Sequence, residues 1–200
     1  LLFLYYLKTR RFRNLVVCFS CLLCLGIYHT VMRWYDRPCP SLVFYNVRGC
    51  PAIHCIAEDG TSWLNYADTL SDKRRLQAVA ANYWRRHQLL PPIEVTADCQ
   101  NVDFCRHQQI VFYHGCRICM VTDNRWRNKS AASPLFINYM YLCKGYNGRL
   151  EELTGLFSPS CILLDASLSD DRKQFFREEC KRLHLHFITL SEEGSVRFLL

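Results

Sequence analysis

A single long apolar run dominates the hydrophobic pattern near the start of the chain. Residues Leu15 to Met32 contain no charged side chain, and only Ser20, His29 and Thr30 are clearly polar. A helix needs roughly 20 such residues to cross the hydrocarbon core of a bilayer. Residues 33–35, Arg-Trp-Tyr, follow at once and match the composition of a membrane interface. The pattern therefore predicts a transmembrane helix over about residues 15–32.

The residues in front of this run indicate its orientation. Four basic residues precede it closely: Lys8, Arg10, Arg11 and Arg13. The cytoplasmic flanks of membrane helices are enriched in Lys and Arg. We therefore predict that residues 1–35 form a membrane segment: the end of one helix at Leu1 to Leu7, a basic cytoplasmic loop, and the transmembrane helix. Residues 36–200 are predicted to be an extracytoplasmic domain.

Two other structures would give a similar pattern. A signal peptide also places basic residues before an apolar run, but the apolar residues ahead of the basic cluster and the lack of a small-residue cleavage site disfavour it. A buried core helix is the second alternative, and the length of the run without a charge disfavours it. His29 lies close to the outer end of the run, so we place it near the interface.

Beyond residue 36 the pattern changes to short apolar runs separated by turn-forming residues. It predicts strands at residues 41–47, 52–57, 62–66, 109–113, 117–122, 136–143, 160–164, 186–190 and 195–199. Helical spacing predicts helices at residues 71–88, at residues 148–157 and from Ser169 onward. His114-Gly115 is predicted to be a tight turn, and Glu192-Glu193-Gly194 another. Strands that alternate with helices imply a sheet flanked by helices, and so an α/β domain.

The distribution of charge along the chain bears on whether the domain binds nucleic acid. The formal net charge is +7, but Lys8, Arg10, Arg11, Arg13 and Arg33 all flank the apolar run. The remaining 20 basic residues nearly balance the 18 acidic residues, all of which lie from Asp36 onward. The domain as a whole is therefore not a strongly basic nucleic-acid binder.

Several short motifs occur in an order that is characteristic of one family. They are Val43 to Gly60, Leu142 to Asn147, Asp165-Ala166-Ser167-Leu168, Glu179-Cys180, Leu183 to Phe187 and Glu193-Gly194-Ser195. In their order and spacing the chain resembles the C-terminus of ComEC-type competence proteins, and more narrowly the Bacteroidetes branch. Leu168 and Ser195 depart from the Asn and Ala of that branch, so no role of that Asn is transferred.

The resemblance implies both a function and a fold. ComEC-type proteins form channels that pass single-stranded DNA across the bacterial inner membrane during natural transformation. We therefore expect the C-terminal portion of such a protein, with a periplasmic domain and with single-stranded DNA, the membrane and other competence proteins as partners. Longer members end in a metallo-β-lactamase-like domain. The resemblance thus implies a trimmed, degenerate version of that αββα fold.

The residues that metallo-β-lactamase chemistry requires are missing from the sequence. That chemistry needs a His-x-His-x-Asp-His cluster and further ligands to hold metal ions and activate water. Only His184 and His186 are two residues apart, and no Asp-His follows them. Where metal-binding relatives carry His-His-Gly, this chain reads Lys144-Gly145-Tyr146. We therefore predict no metal site, no cofactor and no catalytic residue.

Cysteine is unusually frequent, with 13 residues. Cys18, Cys21 and Cys24 lie in the apolar run, and the other ten leave disulfides open as a possibility for a periplasmic domain. Cys116 and Cys119 form a C-x-x-C motif, but they fall in a predicted strand, on opposite faces, which does not suit a redox motif. Three others lie on apolar faces and are predicted to be core residues: Cys143, Cys161 and Cys180.

One loop combines positive charge with an aromatic ring. Arg125, Trp126, Arg127 and Lys129 lie in a polar segment, and such a group can pair with phosphates and stack on a base of single-stranded DNA. A solvated surface loop is the alternative. Asp165 and Ser167 lack a Gly-x-Ser-x-Gly elbow and are predicted to cap the next helix.

Two classes of function remain besides a DNA uptake protein. One is a membrane-tethered enzyme that uses its cysteines as metal ligands or reactive thiols. The other is an interaction domain of an unrelated membrane protein.

Overall fold

The structure is a computed structural model that describes residues 12–35, 39–67, 73–87 and 89–200. It divides the chain into two units, residues 1–37 and residues 38–200. The predicted helix end at Leu1 to Leu7, the basic residues before Arg13 and the start of the predicted helix at Ser71 lie outside the described residues.

The first unit contains α1 (Phe12–Tyr35), which coincides with the apolar run in the sequence. Three of its side chains, Phe19, Leu23 and Leu25, are 62–68% exposed. The Thr30 hydroxyl donates to the Gly26 carbonyl at 2.8 Å, so this polar group is satisfied within the helix. In the part of the chain that the structure describes, no helix combines the length and the hydropathy that crossing a membrane requires.

The second unit is built from short strands and four helices within the described ranges. The strands are β1 (Ser41–Phe44), β2 (Ala52–Ile56), β3 (Ser62–Tyr66), β4 (Ile93–Val95), β5 (Cys99–Gln100), β6 (Phe104–His107), β7 (Ile110–Tyr113), β8 (Cys116–Val121), β9 (Leu135–Leu142), β10 (Phe157–Leu164), β11 (Phe187–Thr189) and β12 (Val196–Leu199). The helices are α2 (Lys73–Arg86), α3 (Leu150–Thr154), α4 (Asp170–Arg182) and α5 (Leu190–Glu193).

These strands form two mixed sheets. The first has the order β12-β1-β2-β3-β4 and is antiparallel except between β3 and β4. The second has the order β11-β10-β9-β8-β7-β6-β5. Its strands are parallel from β11 to β8 and antiparallel from β8 to β5. The predicted α/β class is therefore confirmed.

Apolar side chains join the elements into four layers. Between the sheets, the ring of Phe44 lies 5.4 Å from that of Tyr141, and Trp63 stacks on Phe104 at 5.5 Å. The helix α2 covers the outer face of the first sheet with Leu76 and Ala80. The outer face of the second sheet packs against α3 and α4. The order of layers is helix, sheet, sheet, helix.

Three local predictions differ from the structure. The predicted helix at residues 148–157 is only α3, because Phe157 pairs with Leu135 and begins β10. Glu192 and Glu193 of the predicted turn belong to a helical turn, α5, and Gly194 is its C-cap. The strands β4, β5 and β6 were not predicted, since their short runs mix exposed and buried positions.

The predictions for the cysteines of the core are confirmed. Cys116 and Cys119 both lie on β8, and they pack into different cores on its two faces. Cys143, Cys161 and Cys180 are buried. Burial raises the pKa of Cys119 to about 12 and that of Cys161 to about 11. These two thiols therefore stay protonated, which makes them poor nucleophiles.

Candidate functional site

Four parallel strands, β8 to β11, end at one edge of the second sheet, here called the carboxyl edge. Open α/β sheets bind their ligands outside the carboxyl ends of such strands. The loops that leave β8, β9 and β10 at this edge cover residues 122–134, 143–149 and 165–169. The sequence-predicted residues Arg125, Trp126, Arg127 and Lys129, here called the basic loop, belong to the first of these.

The first two loops of the carboxyl edge press against each other. Gly145 has φ +120°, and a Cβ atom there would collide with the Thr122 carbonyl. Only glycine fits both the backbone conformation and the space. The Asn147 N–H also donates to Asn124 Oδ1 at 2.9 Å. Gly145 therefore forms a backbone contact with Thr122 and has no side chain that could bind a ligand.

Arg125 is engaged by a neighbouring carboxylate. Its Nη2 atom lies 2.8 Å from Asp123 Oδ2, and its Nε donates to both carboxylate oxygens at 3.0 Å. Burial by itself would raise the pKa of Asp123, but the hydrogen bonds from Arg125 outweigh burial and leave this pKa below its ordinary value. The pair is exposed to solvent on both sides, so a phosphate can compete for Arg125.

Trp126 is half-buried and held by three neighbours. Its Nε1–H donates to Gln109 Oε1 at 2.5 Å, and Gln109 Nε2 donates in turn to Thr122 Oγ1 at 2.6 Å. Its ring meets the ring of Phe157 edge-on at 5.0 Å. Lys129 Nζ lies 5.3 Å from the centre of the indole ring. Lys129 thus covers one face of the Trp126 ring, and a base that stacks on this face must displace it.

Arg127 completes the basic loop. Its Nε donates to Glu152 Oε2 of α3 at 3.3 Å, and both side chains are partly exposed. The structure thus brings all four predicted residues together on one surface loop. Both arginines already have a carboxylate partner, so the net positive charge of this surface is small.

Asp165 directly follows β10 and is fully buried. It accepts hydrogen bonds from the Tyr141 hydroxyl, from the Ser167 hydroxyl and from the Ser167 N–H at 2.8 Å. Burial raises the pKa of Asp165 despite these donors. The prediction that Asp165 and Ser167 cap the next helix is wrong, because Ser169 accepts from the Arg172 N–H instead. Asp165 holds the turn that precedes the cap.

The carboxyl edge does not fit the metal set that a metallo-β-lactamase requires. One of its loops carries Lys144, a cation, and the Asp165 oxygens are occupied by three hydrogen bonds. His184 and His186 precede β11, at the opposite edge of the sheet, where His186 Nδ1 lies 3.1 Å from Cys161 Sγ. Among the residues described, no three His, Cys, Asp or Glu side chains gather closely enough to hold a metal ion.

Comparison with known proteins identifies the relatives of this chain. A family model described as the ComEC C-terminal domain matches residues 42–200. This range covers most of the chain and nearly all of the second unit. Comparisons with curated proteins and with solved structures give no significant match.

Proposed function

Because the chain belongs to the ComEC C-terminal domain family, we propose that it forms the C-terminal portion of an inner-membrane channel protein that takes up single-stranded DNA. The observation that carries this proposal is the family match over residues 42–200. The family acts in DNA uptake for competence, so the likeness points to this process rather than to an unrelated membrane protein.

The proposal assigns α1 to the membrane and the second unit to the periplasm. Its support is the lack of charged residues from Asn14 to Met32 and the basic residues that precede this run. Lys and Arg are enriched on the cytoplasmic side of membrane helices. In this arrangement Arg13 is cytoplasmic and Asn128 is periplasmic.

We also propose that the second unit is a trimmed, degenerate metallo-β-lactamase-like domain. The order of its layers, two mixed sheets between helices, agrees with the αββα architecture of that fold. The carboxyl edge, where such a fold would hold metal ions, carries Lys144 and a hydrogen-bonded Asp165 instead.

These residues support the proposal of a non-catalytic domain. Among the described residues, no cluster of His, Cys, Asp or Glu side chains could hold a metal ion that activates water for phosphodiester hydrolysis. The rival thiol enzyme needs an accessible, ionised cysteine. Three cysteines do not suit that role, because burial raises the pKa of Cys119, Cys161 and Cys180 to between about 11 and about 12.

The test of this proposal uses the full chain in lipid nanodiscs with labelled single- and double-stranded DNA, each with zinc or manganese added. We expect the DNA to stay intact while a metal-dependent nuclease in a parallel reaction degrades it. Cleavage that copurifies with the chain and disappears in Asp165→Asn or His186→Ala would overturn the non-catalytic assignment.

A further inference from the structure

The helix α2 concentrates positive charge within the second unit. It holds five basic residues and no acidic residue: Lys73, Arg74, Arg75, Arg85 and Arg86. Without these five, the second unit has three more acidic than basic residues. The nearly neutral total therefore conceals a strongly basic helix on an otherwise acidic domain.

The basic residues point away from the core. Leu76 and Ala80 bury one side of α2, while four arginines at its two ends are exposed: Arg74, Arg75, Arg85 and Arg86. Positions 74 and 85 are about three helical turns apart, so their side chains share a face roughly 16 Å long at 1.5 Å per residue. Small residues, including Ala78 and Ala81, lie between them and let a flat ligand approach closely.

Much of this charge is not neutralised. Lys73 pairs with Glu94 at 2.5 Å. Arg85 Nη2 contacts the neutral Asn82 Oδ1 at 2.6 Å. Within the described ranges no ion pair is found for Arg74, Arg85 or Arg86. In the basic loop, by contrast, each arginine has a carboxylate partner. Phosphate groups therefore meet less competition on α2.

An open, largely apolar pocket of about 490 Å³ lies beside Arg85. Trp84, Arg85, Leu89, Leu90 and Pro91 contribute to its lining. The Trp84 indole is held in place, because its Nε1–H donates to the Tyr45 hydroxyl at 2.9 Å. The pocket thus offers a fixed aromatic side chain next to an exposed guanidinium.

We propose that α2 and the pocket beside Trp84 bind single-stranded nucleic acid. The arginines at the two ends of α2 contact separate phosphates along the strand, and one unstacked base enters the pocket against Trp84. Cations combined with an aromatic platform are typical of single-strand binding. A duplex would not offer an unstacked base. The identification of the strand as DNA rests on the proposed function.

The test measures fluorescence anisotropy of labelled oligothymidine with the full chain in phosphatidylcholine nanodiscs. We expect the variant Arg74→Ala/Arg85→Ala/Arg86→Ala to bind at least about tenfold more weakly at moderate salt. The slope of log K against log salt should fall by about 2, since each phosphate contact on a single strand contributes about 0.7. Leu90→Glu, at an exposed rim position of the pocket, should weaken binding several-fold and preserve the fold.

A matched control removes the same charge from the second sheet and its helices. Arg117→Ala/Arg149→Ala/Lys181→Ala should change the affinity by less than about twofold and leave most of the salt slope. Equal losses in the two triple variants would show a non-specific charge effect and overturn the proposal.

Two further outcomes separate this proposal from the proposed function. If the α2 triple variant binds oligothymidine as tightly as the wild-type chain does, the proposal for the α2 surface is overturned, whereas the proposed role in DNA uptake is not. The wild-type chain could instead fail to bind oligothymidine and bind phosphatidylglycerol vesicles in a way that the α2 triple variant does not. In that case α2 is a lipid-binding surface, and the nucleic-acid proposal fails. Wild-type binding that only the α2 and Leu90 variants lose would support it.

Discussion

His54 is a fully buried histidine on β2. The Trp84 Nε1–H donates to the Tyr45 hydroxyl, and that hydroxyl lies 2.8 Å from His54 Nδ1. The three groups are satisfied together if Tyr45 donates to Nδ1 of a neutral imidazole. The buried Nε2 has no partner in the described residues. Burial lowers the pKa of His54 to about 3, so the folded protein resists its protonation.

This histidine makes the stability of the domain depend on pH. Between about pH 3 and about pH 6.5 the unfolded chain binds a proton at residue 54 that the folded chain excludes. The contribution of His54 to stability is therefore fully present above about pH 6.5. It declines as the pH falls, with a limiting slope of about 1.4 kcal/mol per pH unit.

We expect His54→Gln to flatten this dependence, because Gln keeps a polar side chain near Tyr45 but does not titrate. The measurement is urea unfolding of the full chain in detergent between about pH 7 and about pH 5, which compares slopes rather than absolute stabilities. His107→Gln, at an exposed position, is the control and should retain the wild-type slope. Equal slopes for wild type and His54→Gln would show that His54 is not the group responsible.

At the scale of elements, the basic loop is folded before any ligand arrives. Asn128 adopts φ +57°, and the Arg127 N–H donates to the Asn124 carbonyl at 3.0 Å. Gln109, which immediately precedes β7, accepts the hydrogen bond of the Trp126 indole. Asp123 and Glu152 occupy its arginines. A DNA phosphate must displace these carboxylates, so contact with DNA through this loop should be weak.

This competition predicts opposite effects for two variants. Arg125→Ala/Trp126→Ala/Arg127→Ala should lower the affinity for single-stranded DNA a few-fold, less than the loss expected for the α2 variant. Asp123→Asn should raise the affinity a few-fold, because it releases Arg125. Asp98→Asn removes the same charge next to His107 and serves as the control. If Asp123→Asn and Asp98→Asn bind DNA alike, the loop is only a solvated surface.

At the scale of the whole molecule, charge is distributed unevenly along the chain. Basic residues precede α1, no acidic residue occurs before Asp36, and the rest of the chain contains both acidic and basic residues. A membrane segment with this flanking pattern orients with its basic side in the cytoplasm. The proposed orientation depends on this asymmetry rather than on the fold of the second unit.

We expect a reporter that is active only in the periplasm to give a signal when fused after Leu200, and a reporter that is active only in the cytoplasm to stay silent there. Replacing Arg10, Arg11 and Arg13 by Glu should reduce or reverse this pattern, because the positive-inside bias is removed. As a control, replacing Arg74, Arg75 and Arg85 by Glu changes the net charge by the same amount, but far from α1 in sequence. This control should leave the reporter pattern unchanged. The opposite reporter pattern in the wild-type chain would contradict the orientation.

The sequence by itself determined the features that depend on neighbouring residues. The apolar run predicted α1, and helical spacing predicted α2 within a few residues. His114-Gly115 predicted the tight turn between β7 and β8, where both residues have positive φ as a two-residue hairpin requires. Ser169 predicted the start of α4. The four residues of the basic loop were also found this way, because they are adjacent in the chain.

Only the tertiary structure decided which polar and charged groups are already paired within the protein and which are free to bind a ligand. The α3 backbone is capped by Glu179, whose carboxylate accepts the Leu150 N–H at 2.7 Å from 29 residues away. Arg127 contacts Glu152 across 25 residues of the chain, and Trp126 contacts Gln109 across 17. Short strands such as β4 exist only because a partner strand supplies their hydrogen bonds. Periodicity reports contacts within a few residues, whereas pairing and neutralisation depend on residues that folding brings together from distant parts of the chain.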